Sequence, residues 1–361
     1  MKQRLIAAIA IGCLTMVACN KDNDNNRSLE TVFEDNTYQF TGLAKEEGGR
    51  LFVNYPYWSD RYQYALVQTQ GLNGKTPYPN AAMNSWQPGQ AGADKWVCVQ
   101  SVYIDDGGAL WVVDPANPKM KTVQGGGPKL VRMNKATNAV EKTYFLTSIV
   151  PDTAYVNDVQ IDVPRQFAYL TESRAGGIIV LNLATGQMRN VLTTHYSVKS
   201  DPAYKYIIDG QELMKDGRPA KFNADGIALS PAGDWLYYKP ATDDKLYRIR
   251  TEALRDPAMT DAALASKVED LGHFAASDGM VFDKNNNLYL SDAQNYRVVK
   301  IDSGLKMTDL VKDDKLIWPD SFSMAEGYLY VSCSQIQKQP EYNNGIDKRT
   351  TPHTIYRIKL P

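Results

Sequence analysis

Asp225 to Tyr238, DGIALSPAGDWLYY, holds two short runs with apolar residues at every second place, split by a turn bearing Pro, Gly and Asp. Period-two alternation across such a turn is the pattern of a β-hairpin. The pattern returns as QSVYIDDGGALWVV from Gln100, NDVQIDVPRQFAYL from Asn157, DGMVFDKNNNLYLS from Asp278 and DSFSMAEGYLYV from Asp320, with a weaker copy, TGLAKEEGGRLFV, from Thr41. A third run follows most copies (KLVRMN 129–134, GIIVLN 177–182, KLYRIR 245–250, RVVKID 297–302), and a fourth follows in KTYFL 142–146, MRNVL 188–192 and KVEDL 267–271. Four strands per unit, repeated at roughly 40–70 residues, predict an all-β, six-bladed β-propeller with four-stranded blades. A solenoid would have shorter repeats without internal hairpins, and six similar units are hard to place in the two sheets of a sandwich. The ring is expected to close by pairing TIYRIKL 354–360 with NTYQFTGL 36–43, which removes open sheet edges.

The predicted propeller takes residues 37–361 as one domain. Upstream, residues 1–19, MKQRLIAAIAIGCLTMVAC, carry Lys2 and Arg4, an apolar core from Leu5 to Val17, and Ala18 before Cys19. This reads as a secretory signal, too short for a spanning helix. The ending MVAC resembles a bacterial lipobox, whose cysteine is acylated, so Cys19 is expected to anchor an exported protein in the cell envelope, facing the periplasm or the cell surface. Ordinary cleavage nearby would instead release a soluble protein. Residues 20–36, rich in Asn and Asp, are expected to be a flexible tether. With 40 basic and 41 acidic residues the net charge is −1, which argues against nucleic acid as a partner and leaves a lipid anchor as the expected link to a membrane. The remaining expectation is a monomer with a small-molecule ligand. Cys98 and Cys333 fall on blades that are not neighbours and are expected to be buried free thiols.

In a propeller the first strand of each blade lines the central channel, so the first residues of the six copies form a ring at one mouth. They are Thr41, Gln100, Asn157, Asp225, Asp278 and Asp320. Converging carboxylates raise each other's pKa unless a cation sits among them, and oxygen donors of this kind suit Ca²⁺ or Mg²⁺. The alternative is a structural ring, because Asp-Gly and Asn-Asp pairs also cap strands and form turns. His273, five residues before Asp278, is the candidate acid or base, with His195 a weaker one. Long excursions at 70–95, 193–223 and 337–353 are expected to serve a function, with Tyr78, Trp86 and Tyr196 available to cover a flat ring. Other motifs fail on context: DKNNN 283–287 lacks the glycine and closing glutamate of a Ca²⁺ loop, and GGGP 125–128 runs into a strand instead of a helix.

PYPNAAMNSW, VNDVQIDVPRQFAYLTESRAGGIIVLN and DGIALSPAGDWLYYKPATDDKLYRIRTEALRD resemble the Yellow and major royal jelly protein family in its bacterial branch, over about residues 38–360. The resemblance implies a six-bladed propeller with a ligand pocket at one mouth; insect members include dopachrome-converting enzymes and binders of biogenic amines. More distantly, Asn157-Asp158, Asp225-Gly226 and Asp278-Gly279 resemble the metal-binding starts of SMP-30 and gluconolactonase propellers. That likeness implies a divalent cation on Asp278 and Asp225, with Asn157 as a further donor or substrate contact. Gln100 stands where those enzymes carry a glutamate. The implied functions are a pocket for a small aromatic or quinone-like compound, bound or tautomerised, with Gln100, Asn157, Asp158, Asp225 and Asp320 as ligand contacts and His273 and Asp278 as catalytic groups. A metal-dependent lactonase and a non-enzymatic surface module are the alternatives.

Overall fold

The computed structural model describes residues 27–361, and Cys19 with the first part of the expected tether lies outside them. Six four-stranded antiparallel sheets form the body. Strand β1 spans Glu30–Asp35. Blade 1 holds β2 (Leu43–Lys45), β3 (Leu51–Asn54), β4 (Leu66–Gln70) and β5 (Gly74–Pro77). Blade 2 holds β6 (Ser101–Ile104), β7 (Leu110–Asp114), β8 (Lys129–Asn134) and β9 (Ala139–Phe145). Blade 3 holds β10 (Val156–Asp162), β11 (Phe167–Glu172), β12 (Gly177–Asn182) and β13 (Met188–Val191). Two small hairpins follow, β14 (Ile207–Ile208) with β15 (Gln211–Glu212), and β16 (Met214–Lys215) with β17 (Arg218–Pro219). Blade 4 holds β18 (Ala224–Leu229), β19 (Trp235–Pro240), β20 (Lys245–Arg250) and β21 (Glu269–His273), with short helices α1 (Thr251–Arg255) and α2 (Asp261–Ala265) before its last strand. Blade 5 holds β22 (Met280–Phe282), β23 (Leu288–Asp292), β24 (Arg297–Ile301) and β25 (Met307–Lys312). Blade 6 holds β26 (Pro319–Ala325), β27 (Tyr328–Cys333), β28 (His353–Lys359) and, as its outer strand, β1.

The alternating strands place their apolar faces against the neighbouring blade, so the interior is a set of wedges between blades. Tyr169, Ile178, Ile227 and Tyr238 fill the wedge between blades 3 and 4, and Phe52, Leu66, Val102 and Val112 that between blades 1 and 2. Each wedge buries aliphatic and aromatic side chains completely, which is the dominant favourable term in holding the ring together.

The closure differs from expectation. The partner of β28 is β1 at Glu30–Asp35, inside the segment read as tether, and not residues 36–43. The sequence ETVFED alternates too: Phe33 is fully buried beside Phe40 and Tyr55, with centroids 6.1 and 5.9 Å apart along that chain of rings. Asp35 then ends the strand by accepting from the backbone N–H groups of Thr37 and Tyr38. Cys98 and Cys333 are free and buried.

If β1 closes the ring, Phe33→Ala should lower unfolding stability by about 3–5 kcal/mol in urea titration. Unchanged stability would mean that blade 6 stands without its outer strand.

Candidate functional site

The first residues of the copies meet at one mouth because the inner strands carry irregularities there. The register slips between Val156 and Val159, between Ala224 and Ile227, and between Pro319 and Phe322, which puts Asn157-Asp158, Asp225-Gly226 and Asp320-Ser321 in bulges. A bulge re-aims side chains that a regular ladder would send to the two faces in turn. Hydroxyls of the second strands bind the freed N–H groups: Thr171 that of Asp158, Ser291 those of Asp278 and Gly279, and Ser332 that of Ser321, each at 3.1 Å.

Gln100, Asn157, Asp225, Asp278 and Asp320 all line a cavity of about 450 Å³. Thr41, the remaining first residue, is fully buried and instead donates to the Gln100 carbonyl. Asp225 Oδ1 accepts from Asn157 Nδ2 at 2.5 Å, and Asp278 Oδ2 accepts from the Trp318 indole at 2.7 Å. Gln100 Oε1 accepts from the Tyr155 hydroxyl at 2.7 Å, which accepts from the Trp58 indole at 2.6 Å. Asp320 Oδ2 is buried without a partner.

Burial and mutual repulsion push these acids toward their neutral forms. Desolvation pushes Asp158 up to about 7, aided by the charge of Asp278 and partly offset by Ser101. Asp225 and Asp320 are driven well above the usual carboxylate range, again by burial first and by neighbouring aspartates second. Burial also raises Asp278, but only to about 6, because Trp318 and Asp225 donate to it and Lys239 lies near. Lys239 is fully buried, donating to the carbonyls of Pro240 and Asp243 at 2.9 and 2.5 Å, and burial lowers it to about 8. The result is a split pair, with burial and the charge of Asp278 raising Asp225 further than Asp278 itself is raised.

Two of the three long excursions build the walls. The 193–223 segment carries Lys215, Asp216, Lys221 and Phe222 to the cavity, and the 337–353 segment carries Gln339, Glu341 and Tyr342; they join where the Asp216 N–H donates to the Glu341 carbonyl. Tyr206, Ile208 and Leu213 pin the first of them against Trp318 and Ile336.

Several expected site residues lie elsewhere. His273 ends the outer strand β21, exposed, with Nδ1 2.7 Å from Asp244 Oδ1, and does not line the cavity. The connection from His273 to Asp278 crosses from the rim of the blade to its centre, so nearness in sequence did not become nearness in space. His195 caps a short turn through Ser197. Tyr78 and Trp86 are buried in the body, and Tyr196 packs on His195 at the outside. The aromatic walls are instead Trp58, Tyr155, Phe222, Trp318 and Tyr342. Asp158 is absent from the cavity lining but acts on Asp225 and Asp320 through its charge.

The donor set does not fit a divalent cation as arranged. Asn157 turns its amide nitrogen to Asp225, and Gln100 spends its oxygen on Tyr155. Among the described residues no group of three or more His, Cys, Asp or Glu side chains is placed to hold a metal ion.

The profile of the family described as Major royal jelly protein matches residues 97–360, more than half of the chain. The chain belongs to the major royal jelly protein family. It is 23% identical over 286 residues to Major royal jelly protein 2 of Apis mellifera, covering 68% of this chain and 60% of that one. Major royal jelly protein 3 of Apis mellifera is 22% identical over 334 residues, covering 79% and 58%. This family member thus spans about 60% of the length of those curated relatives. A streptogramin B lyase shares the fold at 12% identity and a TM-score of 0.53, over 93% of this chain and 98% of that one. A gluconolactonase of Xanthomonas campestris is similar at 10% identity and a TM-score of 0.48, over 93% and 99%.

Raised carboxyl values in the folded propeller mean that it binds protons the unfolded chain has released. The stability this supplies is complete below the unfolded value near 4 and is lost as pH rises through the folded values. Thermal melts should therefore show a lower Tm at pH 8 than at pH 5, with Asp320→Asn reducing the fall because an amide cannot ionise. Equal slopes in both proteins would contradict the neutral cluster, since buried His353, lowered to about 4, tilts both curves alike in the opposite direction.

Proposed function

We propose that the cavity binds a small aromatic compound whose ammonium or other polar end rests on Asp225, Asp278 and Asp320 and whose ring lies among Trp58, Phe222, Trp318 and Tyr342. The observation that carries this reading is the pairing of an aromatic wall with a carboxylate floor in one cavity of about 450 Å³, a size that encloses a small ligand. An ammonium supplies the missing counter-charge, gains from the ring faces, and gives the unpartnered Asp320 Oδ2 a donor. The resemblance to the Yellow and major royal jelly family, which implies amine binders and dopachrome-converting enzymes, points to the same ligand class.

The split pair favours a second step on the same ligand. Tautomerisation of a quinone-like compound takes a proton from carbon and delivers one to oxygen. Asp278 has the lower affinity for a proton and serves as the base, while Asp225 holds the proton that the oxygen receives. Two carboxyls with separated proton affinities divide these roles without a histidine. A metal-dependent lactonase is less well supported, because the donors are turned to one another and Gln100 replaces a carboxylate. Binding without turnover uses the same walls and floor. We place the protein outside the cytoplasm, held by an acylated Cys19, on the strength of the signal-like first 19 residues.

Tryptamine and dopamine should bind more tightly than indole and catechol by calorimetry, with the preference growing from pH 5 to pH 8 as the floor ionises. Asp278→Asn should weaken the amines by at least about tenfold, as expected when one member of a buried charge pair is removed. Equal affinity for amines and their neutral analogues would overturn the reading. For turnover, the decay of dopachrome should be accelerated by the wild type and not by Asp278→Asn; no acceleration by the wild type leaves a binder.

A further inference from the structure

Four cationic side chains reach the cavity, and three are already engaged. Lys119 Nζ lies 2.5 Å from Asp60, Arg174 Nη1 donates to the Met120 carbonyl at 2.6 Å, and Lys221 Nζ donates to the carbonyls of Asp201 and Tyr204 at 2.7 and 2.6 Å. Lys215 is different. It ends β16 in the second small hairpin over the mouth, half-buried, with Nζ 5.6 Å from the ring centroids of both Phe222 and Tyr342 and 3.7 Å from Met120 Sδ. Among the described residues no carboxylate stands within ion-pair distance of it. Ring faces and a thioether hold an ammonium less well than water or a carboxylate does. Burial accordingly lowers the amine's proton affinity despite the more distant charges of Glu341 and Asp216, and Arg174 acts in the same direction. A lysine desolvated in an aromatic pocket is the usual form of an amine nucleophile.

We propose that Lys215 captures a carbonyl ligand covalently, condensing with an aromatic aldehyde, ketone or quinone in the cavity to form an imine. This rests on the reading of the cavity as a site for small aromatic compounds, and it assigns that site a ligand class with a carbonyl near its mouth. The Nζ lone pair forms the N–C bond while the carbonyl π pair moves to oxygen. That oxygen takes up two protons, one from the attacking nitrogen and one from a neighbouring acid, and leaves as water. The products are a protonated C=N bond and water, so no oxidant or reductant is involved. Glu341 and Asp216, whose negative charges act on Lys215, line the same cavity and relay the second proton from solvent. A protonated imine also withdraws electrons from the adjacent carbon and so eases removal of a proton there, the step a tautomerisation requires.

The test treats wild-type protein with indole-3-carboxaldehyde and sodium cyanoborohydride across pH 6–9, maps labelled lysines by peptide mass spectrometry, and measures tryptamine binding in parallel. At pH 7 Lys215 should be labelled clearly faster than the surface lysines, because burial among the rings lowers its proton affinity. Its labelling should also reach half-maximum at a lower pH, and Lys215→Arg should lose the preferred label. Labelling of Lys215 no faster than that of surface lysines, with tryptamine still bound, overturns the capture role alone. Absence of both selective labelling and tryptamine binding overturns the reading of the cavity as well.

Discussion

Neighbouring inner strands approach so closely around the axis that the carbonyl of each first residue is met by the blade before it. Thr41 and Asn54 donate to the Gln100 carbonyl, Ser101 to that of Asn157 at 2.6 Å, and Thr171 to that of Asp225 at 2.7 Å. Between blades 4, 5 and 6 there is no room for a side chain. A Cβ on Gly226 would stand 2.4 Å from the Asp278 carbonyl oxygen, and one on Gly279 would stand 2.1 Å from that of Asp320. Ser332 then completes the circuit by donating to the Thr41 carbonyl. This belt fixes six backbones at one radius and turns five of the six side chains to the mouth, while that of Thr41 stays within the belt.

Electrostatics follow from that geometry. Four aspartates gathered in a poorly hydrated space cannot all ionise, and one buried lysine, Lys239, meets only part of their charge. Backbone closeness, the gain of the fold, is thus coupled to carboxyl neutrality, which is the property a ligand meets. The excursions over the mouth add what the belt cannot: aromatic surface and an amine whose proton is held by rings and sulfur. Rigid floor and separately folded walls allow the chemistry of the floor to stay constant while the walls select the compound.

The hairpin repeat was legible because its period, turns and copy number agree at every level, and the ring of first residues followed from registering the copies on one another. Five of the six line the cavity, since the rule that inner strands line the channel depends on topology alone. What stayed illegible depends on direction. His273 was a candidate through its distance along the chain from Asp278, but that distance spans the full width of a blade. Lys215, Phe222 and Tyr342 lie in segments without periodicity, where only the folded path shows which side chains turn inward. Glu30–Asp35 was absorbed into a polar tether because its apolar residues, Val32 and Phe33, are few, although their burial against Tyr55 and Ile355 decides the closure. Charge placement could have been anticipated in part: three successive copies beginning with Asp is a sign of crowded acids, while the identity of the one that stays most acidic depends on the Trp318 indole and Lys239.

The account turns on a neutral carboxyl cluster that gives up protons when a cationic aromatic ligand arrives. Calorimetry of tryptamine binding near pH 6 in buffers of different ionisation enthalpy measures this directly, because the observed heat then contains the protons exchanged with the buffer. A net release of protons on binding tryptamine, absent for indole and diminished in Asp225→Asn, is the predicted result. Heats that are the same in every buffer would contradict it.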